Sequence, residues 1–301
     1  MRRLGSSTLI YEKMKTSRRA FLIGLASLPV AALASGCYMR LLEPDWFEIT
    51  EKDIELHNLR SQIKILHLSD FHASPEVSFS AIETAIDKSL TLNADVALLT
   101  GDYITSNLPD PIEYRRILRK LSDAMPTYAC VGNHDGGSWA GRGHGYTTTK
   151  KVSELLNSSG IRLLFNQKHN AVIRAEKLTI VGLGDLWSQD CKPEEILRIK
   201  REEENPILVL SHNPDSKELL KKFDWDVMFC GHTHGGQLVV PIIGARPFLP
   251  VQDTSFPEGL REIEGKHIHI TRGIGNLHGM RFNCRPEISI LNLKPTKSQI
   301  G

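Results

Sequence analysis

Polar residues that could bind a metal ion follow five apolar segments of the chain. The five segments end in Asp70-Phe71-His72, Gly101-Asp102, Gly132-Asn133-His134-Asp135, Ser211-His212 and Gly231-His232-Thr233-His234. Carboxylate oxygens and imidazole nitrogens suit Mn, Fe, Zn and similar divalent ions, and the absence of thiolates from these motifs disfavours a cysteine-type structural zinc site. The residue types therefore indicate a site for divalent metal ions.

Each of these motifs also has a plainer explanation when it is taken alone. A single histidine such as His212 after an apolar run is usually a packed side chain. Asp102 could cap a helix or a turn, and Gly132-Asn133 suits a turn because both residues tolerate left-handed backbone. The complete ordered set is much harder to explain by packing, since every motif follows a strand-like segment.

The elements that carry these motifs alternate between strand and helix patterns. Apolar runs predict strands at 63–68, 95–100, 127–131, 207–210 and 226–230, shorter strands at 161–165, 171–174 and 178–183, and late strands at 267–271 and 287–293. Helical spacing predicts helices at 79–92, 111–124 and 147–158, and a charged helix at 193–204. This alternation predicts an α/β fold, in which ligands bind beyond the carboxyl ends of the strands.

The amino terminus has the features of an export signal or a membrane anchor. Lys15-Thr16-Ser17-Arg18-Arg19-Ala20-Phe21-Leu22 resembles a twin-arginine signal, and an apolar run continues to about Cys37. Cleavage after an Ala-x-Ala site at 32–34, lipidation at Cys37 and an uncleaved anchor all remain open, and Met14 is an alternative start. We therefore predict a leader at 1–37, a linker at 38–60, one domain at 61–295 and a tail at 296–301.

The charge distribution argues against nucleic acid as a partner. The chain has 37 Lys and Arg residues and 35 Asp and Glu residues. Residues 1–37 hold six of the basic residues and one acid, so the leader carries +5 and the rest of the chain −3. Residues 38–301 are slightly acidic and contain no run of basic residues, so they lack the basic patch that nucleic-acid binding requires. Five cysteines, an odd number, do not indicate a disulfide framework, and we expect a monomer.

The ordered set of motifs resembles the calcineurin-like metallophosphoesterase superfamily. This resemblance implies a four-layer αββα sandwich with a dinuclear metal site at the carboxyl ends of the strands. It implies that Asp102 bridges two metals, that the first is held by Asp70, His72 and His234, and that the second is held by Asn133, His212 and His232. His134 would then be the general acid, oriented by Asp135. One departure is Tyr103-Ile104-Thr105 after Asp102, where many members have an acidic residue or glycine.

The resemblance also implies the chemistry. We expect two divalent ions, Mn first and Fe, Zn or Mg as alternatives, and hydrolysis of a phosphodiester or pyrophosphate by a hydroxide that bridges the metals. Two ions of this kind can clamp both the attacking and the leaving oxygens. His134 would protonate the leaving group as a general acid, a role that histidine often has in enzymes. Arg272 and Arg281 are candidates for binding the substrate phosphate, since a guanidinium group favours bidentate contacts, and a structural role is an equal alternative for Arg281 and Arg285.

Further motifs narrow the resemblance to the YaeI branch of bacterial phosphodiesterases. They are Leu164-Phe165-Asn166-Gln167, Gly184-Asp185-Leu186-Trp187, Ser211-His212-Asn213-Pro214-Asp215-Ser216, Thr271-Arg272-Gly273-Ile274-Gly275 and Cys284-Arg285-Pro286-Glu287. This branch includes chlamydial-type enzymes that cleave UDP-2,3-diacylglucosamine in lipid A synthesis, so a lipid-linked pyrophosphate is the candidate substrate. The alternatives are a general phosphodiesterase or phosphatase and an inactive metal-binding protein at the membrane surface.

The predicted location is the bacterial inner membrane, contacted through the amino terminus. An export leader favours the outer face of that membrane. A nucleotide-sugar substrate favours the inner face, so the sequence leaves the face open.

Overall fold

Two six-stranded sheets position the predicted motifs. The computed structural model describes residues 21, 32–198, 200–201 and 204–296. In spatial order, the first sheet contains β1 (Glu48–Leu56), β12 (Glu287–Pro295), β2 (Ile63–Leu68), β3 (Val96–Thr100), β4 (Thr127–Cys130) and β5 (Arg162–Leu163). The second contains β10 (Gly259–Ile263), β11 (Lys266–Ile270), β9 (Val227–Cys230), β8 (Ile207–Leu210), β7 (Glu176–Gly182) and β6 (Gln167–Ile173).

The strands that precede the motifs are central and parallel. β2, β3, β4 and β5 pair in parallel in the first sheet, and β7, β8 and β9 do so in the second. Antiparallel pairs complete the sheets between β12 and β2, between β6 and β7, and between β10 and β11. The carboxyl ends of the parallel strands therefore meet at one edge of each sheet, as the fold prediction requires.

Three helices cover the outer face of the first sheet: α1 (Phe79–Leu90), α2 (Pro111–Ala124) and α3 (Lys150–Ser158). Ser78 caps α1 by accepting from the backbone of Ala81, and Asp110 caps α2 just before a proline at its first position. Their apolar stripes pack on the outward side chains of β2, β3 and β4 in one continuous cluster.

The alternation of side chains along the strands separates the remaining core into two layers. Ile63, Ile65 and Leu98 of the first sheet face Leu208 and Phe229 of the second, and this layer fills the space between the sheets. The outward side chains of β7, β8 and β9 pack under a thinner cover made of loops and the short helix α4 (Lys217–Leu220). The result is the predicted four-layer α/β sandwich, with an outer layer on the second sheet that is largely irregular.

The segment predicted as a linker at 38–60 is part of the folded unit. Residues Tyr38–Leu42 form a π-helical turn and Glu43–Asp45 a 3-10 turn. β1 then pairs along its whole length with β12 as the edge strand of the first sheet. Its polar residues face outward and only Ile54 and Leu56 are buried, which is why the sequence has no clear strand pattern there.

The predicted charged helix at 193–204 is not formed by the described residues of that segment. Only Pro193–Glu195 is helical, as a 3-10 turn. Leu197 instead packs under the second sheet, and Arg201 binds Asp224 at 2.7 Å and Asp226 at 2.9 Å. These tertiary contacts engage Leu197 and Arg201 in a way that the helical spacing of the sequence does not predict.

The predicted leader lies almost entirely outside the described residues. In the part of the chain that is described, no helix combines the length and the apolar character needed to cross a membrane. The predicted tail also lies outside them, except for Thr296.

Candidate metal centre

All nine site residues predicted from the sequence lie at the carboxyl ends of the central strands. Their positions, in chain order, are Asp70 and His72 after β2, Asp102 after β3, Asn133, His134 and Asp135 after β4, His212 after β8, and His232 and His234 after β9. The first sheet therefore supplies the carboxylates and the second sheet supplies three imidazoles. All nine side chains are buried except that of His134, which is partly exposed.

Asp70, His72 and His234 form one group of potential ligands. Their ligand atoms lie within 4.8 Å of one another. The Nε2 atoms of His72 and His234 are 3.1 Å apart, and His234 Nε2 lies 3.4 Å from Asp70 Oδ1. Two imidazole nitrogens and a carboxylate oxygen that point at one small volume suit a divalent cation.

Asp102, His212 and His232 form a second group, whose ligand atoms also lie within 4.8 Å of one another. Asp102 Oδ2 lies 3.1 Å from His212 Nε2, which is 3.2 Å from His232 Nδ1. The same carboxylate oxygen lies 3.4 Å from His72 Nε2 in the first group. Asp102 thus stands between the two groups, which is the position that a bridging ligand needs.

Buried polar atoms without partners support the assignment of metal ligands. Both side-chain atoms of Asn133 and the Nδ1 atom of His234 are buried with no hydrogen-bond partner among the described residues. An unsatisfied buried polar group is costly. A cation beside Asn133 would satisfy its amide oxygen, so the donor set fits the divalent ions that the sequence predicts.

Backbone carbonyls fix the orientation of two imidazole rings among the ligands. His212 Nδ1 donates to Thr100 O at 2.6 Å, and His232 Nε2 donates to Pro250 O at 3.0 Å. In each ring the other nitrogen is left to face the ligand group. Partners of this kind hold a metal-binding histidine in one tautomer and one orientation.

The ring of His134 is oriented by a backbone carbonyl. Its Nδ1 lies 2.5 Å from Thr105 O, and its ring stands near His72 and Asp102. The Asp135 carboxylate instead accepts three backbone N–H bonds, from Asp102, Tyr103 and Gly132. The Asp135 carboxylate thus organises the loop that carries Asp102, and its orienting effect on His134 stays a prediction.

The protonation of the ligands reflects burial and the nearby carboxylates. Burial lowers the pKa of His72 and of His232 to about 3, so both rings are neutral and offer a lone pair. Burial raises the pKa of Asp70 to about 6, partly opposed by His212. Burial alone would also lower the pKa of His212, but the charges of Asp102 and Asp70 outweigh it and raise that pKa to about 10.

Left-handed backbone places the ligands at this edge. Asp70, His72, Asp102, His232 and His234 have φ values of 54°, 48°, 55°, 70° and 50°. Such values are uncommon outside glycine and concentrate at functional sites, where the surrounding structure enforces them. The sequence does not predict these positive φ values, although Asp and His tolerate them better than β-branched residues do.

Two glycines of the motifs are required by close approach. A Cβ atom on Gly231 would lie 2.1 Å from Asp70 Oδ2, and one on Gly132 would lie 2.2 Å from Asp102 Oδ1. Neither position has room for a methyl group. The glycines therefore let the backbone of one strand end pass directly beside the carboxylate of another.

Arg281 and Arg272 have structural roles. The Arg281 side chain is fully buried and donates to the backbone carbonyls of Arg272, Gly273, Gly275 and Cys284. Arg272 pairs with Glu287 at 3.1 Å and Glu48 at 2.9 Å. Arg285 lies over the ring of Trp46. These contacts favour a structural role for all three arginines.

An aromatic rim, which no motif of the sequence predicts, borders the centre. The Trp139 ring lies 4.9 Å from His134 and 5.4 Å from Trp187, and Trp187 lies 4.4 Å from His232. His144 stacks on the outer side of Trp139 at 4.4 Å. Both tryptophans are partly exposed. We use the name aromatic rim for Trp139, His144 and Trp187.

The fold and the two ligand groups define a metal-dependent hydrolase built on a two-sheet sandwich. The sequence pattern of the calcineurin-like phosphoesterases matches residues 63–236, a span that contains all nine predicted site residues. The chain belongs to this family and is a phosphoester hydrolase.

Curated relatives extend the match to nearly the whole chain. The phosphodiesterase YaeI of Escherichia coli K12 is 40% identical over 279 residues, which are 92% of this chain and 99% of that protein. The uncharacterized metallophosphoesterase YkuE of Bacillus subtilis 168 is 30% identical over 94% of this chain and 99% of that protein. The UDP-2,3-diacylglucosamine pyrophosphatase LpxG of Chlamydia trachomatis is 26% identical over 89% of this chain and 95% of that protein.

Proposed function

We propose that the protein is a dinuclear metal-dependent phosphodiesterase whose substrate is a lipid-linked nucleotide pyrophosphate, with UDP-2,3-diacylglucosamine as the candidate. The observation that carries the proposal is the pair of ligand groups joined by Asp102, with the partly exposed His134 beside them. The similarity to YaeI supports diester cleavage. The similarity to LpxG and the aromatic rim support the nucleotide pyrophosphate.

The proposed roles follow from the geometry of the side chains. Asp70, His72 and His234 would hold one divalent ion, Asn133, His212 and His232 the other, and Asp102 both. Ions bound there would supply Lewis acidity, which withdraws charge from the phosphate oxygens and acidifies water. Mn is the first candidate for these ions, and Fe, Zn and Mg are the alternatives.

His134 is the proposed general acid. Its Nδ1 donates to Thr105 O, so Nε2 is the nitrogen that can pass a proton to the leaving oxygen. The ring is within 5.0 Å of the His72 ring and is the most accessible of the predicted site residues. A positioned acid of this kind typically contributes about 10²- to 10⁴-fold to the rate.

The aromatic rim is the proposed site for the nucleoside of the substrate. Trp139 contacts His134 through its ring edge, so a leaving group protonated by His134 would lie against it. A base stacked on such a side chain contributes about 1–3 kcal/mol. A simple phosphomonoester would leave the rim without a contact.

The deciding experiment is hydrolysis of UDP-2,3-diacylglucosamine by the purified full chain with Mn²⁺. Bis-p-nitrophenyl phosphate and p-nitrophenyl phosphate are assayed in parallel, and products are identified by mass spectrometry. We expect a nucleoside monophosphate and a lipid monophosphate in equal amounts. Turnover of the simple diester alone would leave a general phosphodiesterase, and faster turnover of the monoester would make the protein a phosphatase.

A matched variant separates catalysis from metal binding. His134→Ala removes the proposed acid and leaves every proposed metal ligand in place. We expect the rate to fall about 10²-fold or more while the metal content stays that of the unaltered protein. An unchanged rate would contradict the role of His134 without affecting the metal assignment.

We also propose that the amino terminus holds the enzyme at the bacterial inner membrane. The support is the apolar leader of the sequence and the lipid in the name of the chlamydial relative. Fractionation of cells that produce the full chain tests it, with recovery in the membrane fraction expected.

A further inference from the structure

The loop that follows the last metal-binding motif exposes apolar side chains beside the centre. Ile242 is 106% exposed, Ile243 73% and Phe248 63%, and Val240 is 39% exposed. We call residues 240–248 the apolar loop. Residues 238–245 contain no charged side chain. Contiguous exposed apolar residues of this kind mark interaction sites in soluble domains.

The apolar loop has a defined and strained shape. Val240 N donates to Ala245 O at 2.9 Å, and Gly244 N donates to Val240 O at 2.9 Å. At the tip, Ile243 N donates to Pro241 O at 2.8 Å around Ile242, whose φ is 72°. A three-residue turn with positive φ is rare, and a β-branched residue there is a conformational outlier. Strain of this type persists where it serves a function.

The carboxyl-terminal part of the apolar loop is fixed beside the metal centre. Arg246 donates to Gly235 O and pairs with Glu258, so this part of the loop is bound to the turn after His234. Beyond the loop, Pro250 O accepts from the ring of His232. Whatever contacts Ile242 and Ile243 therefore lies close to the proposed site of hydrolysis.

The amino-terminal segment enters the domain next to the same loop. Val239 N donates to Phe282 O at 2.9 Å, and the ring of Tyr38 packs edge-on against Phe282 at 6.3 Å. The exposed residues Leu41 and Leu42 follow directly, at 67% and 61%. In the sequence, residues 20–39 contain no charged side chain. An apolar stretch of about 20 residues matches the thickness of a bilayer core.

We propose that the apolar loop inserts into the surface of a lipid bilayer, with Ile242, Ile243 and Phe248 among the lipid chains and the metal centre facing the headgroups. Tyr38 lies beside the loop through Phe282 and stands at the carboxyl end of the uncharged stretch of the sequence, which favours a bilayer over a protein partner. Burial of apolar side chains supplies the attraction. The proposed contact with the bilayer does not depend on which phosphoester in that bilayer the enzyme cleaves.

The test measures the depth of single positions in a membrane. The full chain carrying Cys37→Ser, which removes the exposed cysteine and leaves four buried ones, is given a single new cysteine by Ile243→Cys or Phe248→Cys. An environment-sensitive fluorophore is attached, and the protein is reconstituted into vesicles of phosphatidylethanolamine and phosphatidylglycerol with or without doxyl-labelled lipid. We expect a blue-shifted emission that doxyl lipid quenches.

Val172→Cys is the matched control. Val172 is apolar and 68% exposed, but it lies on β6 near the end of the second sheet opposite the metal centre. Its label should keep the emission seen in water and should escape quenching. Equal emission and equal quenching at 243 and 172 would overturn the proposal. A blue-shifted emission at position 243 that doxyl-labelled lipid does not quench would also overturn the proposal and would indicate a protein partner.

A second measurement separates this inference from the proposed substrate. In the variant Ile242→Ser with Ile243→Ser, kcat/KM for soluble bis-p-nitrophenyl phosphate should be unchanged, which also shows that the variant folds. Turnover of a vesicle-embedded lipid pyrophosphate should fall at least tenfold, and an unchanged rate would contradict the inference. If the unaltered protein does not cleave that lipid, the proposed substrate fails, and the depth measurement still decides the membrane contact.

Discussion

Three of the five histidines at the candidate metal centre take their orientation from backbone carbonyls. Thr100, Thr105 and Pro250 each offer a carbonyl oxygen to one imidazole ring. Every residue has a backbone carbonyl, so the types of these residues do not reveal which of them orients a histidine ring. In the Tyr103-Ile104-Thr105 segment after Asp102, the contact to His134 uses the main chain of Thr105, while the Thr105 hydroxyl donates to His72 O at 3.2 Å.

The first prediction at this scale concerns Asp135. Its carboxylate accepts from the backbone of Asp102, Tyr103 and Gly132. In Asp135→Asn an amide nitrogen replaces one of the two acceptors, so at least one buried N–H loses its partner. We expect the free energy of unfolding in urea to fall by about 1–3 kcal/mol.

His134→Ala is the control for this prediction. It leaves the three backbone bonds intact and should change the stability much less. An Asp135→Asn protein as stable as the unaltered one would contradict the loop-organising role.

A second prediction concerns Trp139 of the aromatic rim. Trp139→Ala should raise the KM for a uridine diphosphate ester about tenfold, since a stacked base contributes about 1–3 kcal/mol. The KM for a diester without an aromatic ring should stay nearly constant. Trp46→Ala serves as the control, because that ring lies against Arg285 outside the rim. Equal losses on both substrates would show that Trp139 only supports the fold.

At the scale of the elements, the crossing of strand ends explains why glycine precedes three of the ligand motifs. Gly231 follows β9 where the Ser69-Asp70 turn passes beside it. A Cβ there would meet Ser69 Oγ at 2.0 Å and Asp70 Oδ2 at 2.1 Å. The two sheets can therefore approach at this edge only if one of the two chain segments has no side chain.

Gly231→Ala should consequently displace Asp70 and reduce the metal content. We expect less than half of the bound metal of the unaltered protein after gel filtration, measured by inductively coupled plasma mass spectrometry. Gly265→Ala is the comparison, since that glycine has a φ of 77° but no atom within 4 Å of the position that a methyl group would take. It should lower stability and leave the metal content unchanged. Full metal content in Gly231→Ala would contradict the steric argument.

Most strands were predictable because buried parallel strands are continuous apolar runs, and so was the position of the nine candidate site residues at the carboxyl ends of those strands. Helix α2 at Pro111–Ala124 matches its prediction because Asp110 and Pro111 mark its start. β1 was not predictable, since an edge strand with one buried end has no clear period. The false helix at 193–204 arose because the contacts of Leu197 and Arg201 override a helical spacing.

At the scale of the whole molecule, a buried pair of histidines joins the two sheets. His67 of β2 and His269 of β11 lie with their Nδ1 atoms 2.9 Å apart, and His67 also contacts Thr100 Oγ1 at 2.9 Å. Both rings are fully buried. Burial lowers the pKa of His269 to about 4 and that of His67 well below its usual value.

These shifts predict that the histidine pair reduces the stability of the fold in mild acid. Well above about pH 6.5 both rings are neutral in the folded and the unfolded state. As the pH falls through that value the unfolded chain takes up protons that the buried rings do not, so the contribution of the pair to stability declines toward about pH 4. For a pKa near 4, His269 should account for about 2 kcal/mol between pH 7.5 and pH 5.

Urea unfolding of the metal-free protein at the two pH values measures this loss. The variant His67→Leu with His269→Leu should show a smaller decline between pH 7.5 and pH 5. An identical decline in the variant would show that other groups govern the acid response.

The division of the ligands between the sheets has a consequence for how the molecule is held together. Asp70, His72, Asp102 and Asn133 come from one sheet, and His212, His232 and His234 come from the other. An ion held by these residues would therefore cross-link two halves of the chain that are far apart in sequence. At a free concentration of 1,000 times its dissociation constant, an ion would stabilise the folded state by about 4 kcal/mol. Removal of the ion by a chelator should therefore lower the Tm. The contact between the two sheets should weaken first at the edge that carries the candidate ligands.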